Sequence, residues 1–315
     1  MDLWVDTRWE GRHGIGRYAR EVCSRLAMPW KELDVTGSPA SPLGAIAPVP
    51  RGLIYSPGYN AFLRAERQVL TIHDLIHFQT SWPQRAKYRA FYDLVIKPVV
   101  KRAGVVITVS ETSRRAISEW LRDDSVEIVN AGIGVSPAFH ADVIAASAPE
   151  SYVMYVGNMR PHKNLSVVLD ALMHVPGLRL RALLPPREHH EAHNAFRARG
   201  IDDRVDLLTD LTDDELAAQY RGAAATVMPS LIEGFGLPAL ESLAVGTPII
   251  YWVGCAAVAE TVGHNGTAVT GAKSTTEWAD ALNSALVHPR KVSGLDKAYS
   301  WDVTADVVNS TLATA

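Results

Sequence analysis

Residues 229–250 read PSLIEGFGLPALESLAVGTPII, and their grammar decides the fold. The run before them, ATVMPS (225–230), is short, apolar and bounded by a proline, the pattern of a buried strand. LIEGFGL (231–237) is a loop whose two glycines permit tight turns. Pro238 suits the first helical position and Gly246 the helix end, after which TPIIYWV opens another strand. Strand, loop, helix and strand in succession make a parallel sheet. Glu233 then sits in the loop at a strand's C-terminal end, and Glu241 falls eight positions later, within the first turns of the helix. Ligands of open parallel sheets bind beyond those strand ends. The helix start favours an anion, and its exposed N–H groups suit hydroxyls and phosphates. Taken alone, an ordinary helix start with an acid in it explains the pattern equally well.

The same alternation runs through the whole chain. Apolar runs of strand type are DLWVD, ELDVTG, GLIYSP, QVLTIHD, GVVITVS and VEIVNAG in the first half. In the second half they are SYVMYVG, LRLRALLP, RVDLLT, ATVMPS, TPIIYWV and GTAVTG. Continuous Val/Ile/Leu runs between helical patterns are how strands covered on both faces read. The expectation is an α/β protein of two doubly wound parallel-sheet domains, divided near residue 145, with HADVIAASAPES (140–151) as linker.

Three further loops follow strands. NMRPHKNL (158–165) carries Arg160 and Lys163, a fork of donors and a point charge suited to a diphosphate. TIHDLIH (71–77) puts His73 just beyond the strand run QVLT, separated from its end by Ile72, with Asp74 and His77 as weaker candidates and Asp74 suited to orient the turn. GRHGIGRYAREV (11–22) offers Gly14 and Gly16, where backbone can approach a ligand, and then a helix start. A dinucleotide fingerprint is incomplete there, because position 19 is Ala. Each loop has a plain alternative: a solvated basic turn, a structural histidine, a tight bend.

Together these motifs resemble the family-4 retaining glycosyltransferases of the GT-B fold, whose Glu-x7-Glu motif is matched by EGFGLPALE (233–241). The resemblance implies two Rossmann-like domains with an interdomain cleft: 1–145 on the acceptor side and 146–300 for the nucleotide-sugar. It also implies that a last helix, about 301–315, which begins within YSWDVTADVV (299–308), packs back onto the first domain. By the same resemblance Glu233 contacts donor-sugar hydroxyls and Glu241 holds the ribose. Gly234, Phe235, Gly236 and Leu237 line the nucleotide-sugar with Gly14 and Gly16, Arg160 and Lys163 neutralise the leaving diphosphate, and His73 touches the sugar near the reacting centre. The implied reaction moves a hexose, GDP-mannose or another GDP-hexose being the favoured donor, to a glycan or glycolipid hydroxyl with retention. Where the family has Gly-Gly-Ile-Gly, this chain has His13 first, a change on the acceptor side that makes His13 a candidate substrate contact. The stretch GCAAVAETVGHNGTAVTG departs from the family pattern, though Glu260 is in place. A nucleotide-sugar epimerase of similar fold and an inactive nucleotide-sugar-binding partner subunit are the alternatives.

Composition narrows the class. A net charge of -3 argues against a nucleic-acid binder. Two distant cysteines suit a reducing cytoplasm, and neither a signal peptide nor a run of 18 apolar residues is found. Asp-x-Asp, which glycosyltransferases that hold a divalent metal on the diphosphate commonly use, occurs nowhere, in agreement with the implied role of Arg160 and Lys163. No metal and no cofactor are expected, the donor being a substrate. REHHEAHNAF places His189 and His193 at i, i+4 without the zincin pattern, and an exposed helix is its default reading. Residues 82–102 alternate basic with apolar and aromatic side chains, and Pro98 is set to interrupt one long helix. Three readings stand for that segment: packing on the sheet, contact between two copies in a homodimer, or peripheral contact with the inner face of an anionic membrane.

Overall fold

The computed structural model describes residues 2–9, 11, 14–37, 39, 41–79, 85–293, 295 and 299–315. His13 and the first part of the basic segment, Trp82 to Gln84, lie outside the described residues. The chain divides into two compact units, Met1–Gly134 with Tyr299–Ala315, and Val135–Ala298.

The first unit runs β1 (Leu3–Val5), α1 (Gly14–Cys23), β2 (Trp30–Glu32), β3 (Leu53–Ser56), β4 (Arg67–Leu70), α2 (Ile76–Gln79), α3 (Arg85–Phe91), α4 (Lys97–Ala103), β5 (Val105–Thr108), α5 (Glu111–Leu121) and β6 (Glu127–Asn130). Its strands are parallel in the order β2-β1-β3-β4. A parallel bridge, Thr71 to Ile107, joins them to the pair β5-β6. β3 and β5 are buried at every residue, as strands covered on both faces must be. The run ELDVTG proves to be strand only at Glu32. Leu33 N–H still bonds Val5 O at 2.9 Å, but Val35 N–H turns back onto Leu33 O at 3.0 Å, which ends the ladder. Pairing therefore extends backwards, into the exposed Trp30–Glu32.

The basic segment shows why its apolar half is apolar. Phe91, Tyr92, Ile96, Val99 and Val100 are buried in the unit's core, while Leu94 stands exposed. Several of its charges bond within the unit: Lys97 to Trp120 O, Lys101 to Asp123, Arg102 to Leu63 O and Arg89 to Asp93. Pro98 does not break the run. A π-helical turn, Tyr92–Ile96, precedes it, and the wider register removes the need for the N–H that Pro98 lacks.

The second unit runs β7 (Tyr152–Val156), α6 (Leu165–Leu172), β8 (Arg179–Leu183), α7 (His189–Arg197), β9 (Val205–Leu208), α8 (Asp213–Gly222), β10 (Ala225–Met228), α9 (Leu237–Ala244), β11 (Ile249–Trp252), α10 (Ala256–Val262), β12 (Gly266–Val269) and α11 (Thr275–Val287). Its six parallel strands stand in the order β12-β11-β10-β7-β8-β9, the doubly wound pattern whose direction reverses between β7 and β10. A capping box of Thr212 and Glu215 starts α8, and Trp278, wholly buried on α11, helps close the core against α6. The stretch read as linker is packed rather than free. Phe139 is buried with Tyr152, Leu216 and Tyr220, and Val143 and Ala148 lie against the same cluster.

The last helix, α12 (Trp301–Thr314), belongs to the first unit. Asn309 accepts from Ala27 N–H at 2.9 Å and donates to Arg25 O at 3.1 Å, satisfying backbone just past the end of α1. Trp301 packs its ring edge-on to Tyr18.

Candidate functional site

Two loops of the second unit meet where its strand order reverses, after β7 and after β10. The first is held from below. Tyr155 donates to Asn158 O at 2.8 Å, Arg160 N–H bonds Asn158 Oδ1 at 3.1 Å, and Met159 N–H bonds Glu188 Oε2 at 2.7 Å. A 3-10 turn, Pro161–Lys163, then delivers the chain into Asn164 at φ 53°, a left-handed conformation that Asn tolerates. Asn164 donates to Pro229 O at 3.2 Å and to Ala272 O at 2.8 Å, and Leu231 N–H bonds His162 O at 2.7 Å. These bonds stitch the two loops together. As a result Lys163 Nζ lies 2.6 Å from Glu233 Oε1, with the side chains 18% and 10% exposed.

Glu233 is followed by Gly234 and Phe235, both buried, and by Gly236 at φ 100°. That angle requires glycine, and a Cβ there would also press Val258 at 3.3 Å. α9 begins at Leu237, so Pro238 is its second residue rather than its first. Glu241 is on the buried face of α9, 5% exposed, and accepts a hydrogen bond from the Tyr220 hydroxyl at 3.1 Å. Arg160 is exposed at the start of the 3-10 turn. Cys255, just before α10, is buried. Burial, with the Glu233 charge nearby, pushes its thiol up to about 12, so it stays neutral.

The remaining candidates belong to the first unit. His73 is 8% exposed and its Nε2 lies 2.8 Å from Pro57 O. A carbonyl only accepts, so Nε2 carries the proton and donates. The ring edge meets Tyr18 at 4.8 Å, and the backbone carbonyl accepts from Ser113 at 2.7 Å. Asp74 accepts from Ile76 N–H at 3.0 Å, the turn-orienting role expected of it, and His77 stacks on Tyr88. Gly14 opens α1 and is exposed, whereas Gly16 is buried, where a Cβ would lie 2.4 Å from Gly11 O. The small residue at 16 thus serves close backbone contact within its own loop.

Arg160, Lys163, Glu233 to Leu237 and Glu241 therefore share one unit, and Gly14, Gly16 and His73 the other. The reading from sequence missed Asn164 and Tyr220. Asn164 carried a signal, an amide just before a helix in a loop of charged residues. Tyr220 carried none, because only the packing of α8 against α9 brings it to Glu241. Among the described residues no group of three or more His, Cys, Asp or Glu is placed to hold a metal. A cavity of about 310 Å³ lies at the opposite, N-terminal edge of the second sheet, between Ala225, Pro248, Thr267 and His288. It contains none of the residues above.

Residues 140–298, essentially the second unit, match the family model described as glycosyl transferases group 1. A D-inositol 3-phosphate glycosyltransferase of Mycobacteroides abscessus is 32% identical over 209 residues, 60% of this chain and 46% of that protein. The chain thus spans about half the length of that relative. The O-antigen chain mannosyltransferase RfbU of Salmonella typhimurium is 26% identical over 251 residues, 78% of this chain and 69% of that one. The crystal structure of Anabaena Alr3699/HepE in complex with UDP and glucose superposes with a TM-score of 0.68 at 17% identity, over 99% of this chain and 94% of that one. The likeness in fold agrees with the class read from the strand pattern: α/β, two Rossmann-like units in one chain, the GT-B architecture.

Proposed function

The chain belongs to the group 1 glycosyl transferases, and from that premise we propose that it is a retaining hexosyltransferase using a nucleoside-diphosphate sugar. The observation that carries the reading is the Lys163–Glu233 pair at the C-terminal ends of β7 and β10, where doubly wound sheets bind nucleotides. Lys163 and Arg160 meet the diphosphate as cations, and Glu233 accepts from hydroxyls of the sugar. The C1–O bond to the β-phosphate breaks, and a C1–O bond to the acceptor forms on the same face. The acceptor's proton passes to the leaving phosphate oxygen, whose negative charge the two cations stabilise. No divalent metal takes part in this scheme.

The proposed donor is a GDP-hexose, with a mannosyltransferase among the relatives in support, and the acceptor is a glycan or glycolipid of cell-surface polysaccharide synthesis. Calorimetry with GDP, UDP, ADP and dTDP tests the donor, and GDP is expected to bind tightest. Turnover of GDP-mannose should persist in chelator and give a product of unchanged anomeric configuration. A requirement for divalent metal would end the metal-free scheme, and preference for UDP would end the GDP assignment.

Access to a lipid-linked acceptor is proposed through the exposed basic residues Arg85, Lys87 and Arg89 of α3. Since the apolar side of the segment is packed inward, the contact is electrostatic, worth about 1 kcal/mol per basic residue near the surface. Co-sedimentation with anionic vesicles should fall with salt and with the triple change to Glu. Protein left in the supernatant at low salt would rule this contact out.

A further inference from the structure

We infer that the cavity at the N-terminal edge of the second sheet binds a small phosphorylated polyol, held by Arg290 and His288. The cavity lies at the edge opposite the loops after β7 and β10, and the inference does not depend on the function proposed for those loops. Its volume, about 310 Å³, is at the small end of the roughly 300–1,000 Å³ usual for ligand pockets. The starts of β10 and β11 supply its floor, where Ala225, Pro248 and Ile250 are buried. The short side chains of Ala225, and of Ala285 on α11, leave the space open. Exposed polar side chains stand around it: Thr267 of β12, Ser284 near the end of α11, His288 at its cap, and Arg290. No carboxylate is among the described residues that line it.

The donors at its mouth are unspent. Two neighbouring cations are used up within the protein: Arg221 donates to Val245 O at 2.9 Å, and Lys291 Nζ donates to Arg221 O, Ala223 O and Thr247 Oγ1 at 2.6, 3.2 and 3.1 Å. Among the described residues, neither the Arg290 nor the His288 side chain has a hydrogen-bond or ion-pair partner. Arg290 is nonetheless held at the cavity from both sides. His288 N–H bonds Ser284 O at 2.9 Å before it, and Val292 N–H bonds Gly246 O at 3.0 Å after it. Lys291 grips Ala223 and Thr247, the residues that immediately precede Ala224 and Pro248 of the cavity wall. Cations after a helix also answer the partial negative charge of its carbonyl end. That effect fades within a turn and asks for no cavity, so it accounts for His288 better than for Arg290, two residues past the cap. A guanidinium fork and a ring N–H suit phosphate oxygens. The hydroxyls of Ser284 and Thr267 both donate and accept, and so suit alcohol groups. A phosphate ester of a small polyol presents both kinds of group within the volume at hand.

The test is equilibrium dialysis of radiolabelled inorganic phosphate against Lys163→Ala protein, which lacks one cation of the basic loop. About one equivalent should bind, with half-saturation at about 1 mM or below. Glycerol 3-phosphate should displace the label about fivefold better than unlabelled phosphate, the gain from one further hydrogen bond, and glycerol should not displace it. Arg290→Gln should weaken phosphate at least about tenfold, because a charge-assisted bond is lost. Ser284→Ala with Thr267→Val should erase the advantage of the ester and leave phosphate binding unchanged. Ala285→Leu, on a helix that accepts leucine, should fill the cavity and abolish binding of the ester. Vesicles of phosphatidic acid should displace no label; displacement by them and not by glycerol 3-phosphate would make the ligand a lipid headgroup and end the assignment to a free ester. No saturable phosphate binding below about 10 mM, or binding indifferent to Arg290→Gln, overturns the site.

Discussion

Lys163→Ala should lower turnover of a nucleoside-diphosphate hexose by about 100- to 1000-fold, the range seen when one donor to a developing oxyanion is removed. Lys163 Nζ is the described cation 2.6 Å from Glu233, and the loop that carries it is tied by Asn164 and His162 to the segment before Glu233. The substitution therefore removes one charge from a position that the rest of the loop keeps. Affinity for the free nucleoside diphosphate should fall as well, by about 2–4 kcal/mol, since phosphate charge is left unpaired in a partly buried setting. Lys163→Arg should retain part of both. Steady-state kinetics and calorimetry on the three proteins decide the matter. Undiminished diphosphate affinity in Lys163→Ala would remove the phosphate role from this residue.

The second large effect is on stability and lies in the first unit. Asp6 is wholly buried just past β1, at the reversal point between β1 and β3. Arg8 meets it through Nε at 2.8 Å, a terminal nitrogen at 2.5 Å and its own backbone N–H at 3.2 Å; Asn60 donates to the same carboxylate and accepts from Trp9. Arg8→Ala should cost about 3 kcal/mol of unfolding free energy, because it leaves a buried carboxylate with its counter-charge gone. Replacing both charged members, Asp6→Leu with Arg8→Met, should recover part of the loss, since the orphaned charge is gone while Asn60 and the Arg8 backbone N–H lose the carboxylate as acceptor. Urea unfolding of the single and double variants measures both. A change below about 0.5 kcal/mol for Arg8→Ala would show that water reaches the carboxylate after all.

The strand pattern alone determined the α/β class, because parallel strands covered on both faces must be apolar at nearly every position. Every strand-type run but one coincides with a strand. The exception, ELDVTG, fails because a backbone turn at Val35 is decided by hydrogen bonds that leave no trace in hydrophobicity. The basic segment teaches the converse. Its apolar face is explained by burial of Tyr92, Ile96 and Val100, an outcome that amphipathic spacing shares with membrane contact and cannot separate from it.

Glu233, Arg160 and Lys163 were visible as types of residue after strands, since loops at strand ends follow the order of elements. Their arrangement was not. Lys163 and Glu233 are 70 residues apart in the chain, and only the placement of β7 beside β10 brings them to 2.6 Å. The same holds for Tyr220 and Glu241, joined by the packing of α8 on α9, and for Asp6, Arg8 and Asn60, joined by β1 beside β3. Sequence alone determined which chemical groups the loops carry. The tertiary structure decided which of them touch, because hydrogen bonds and ion pairs act over a few ångströms and the strand order sets those distances.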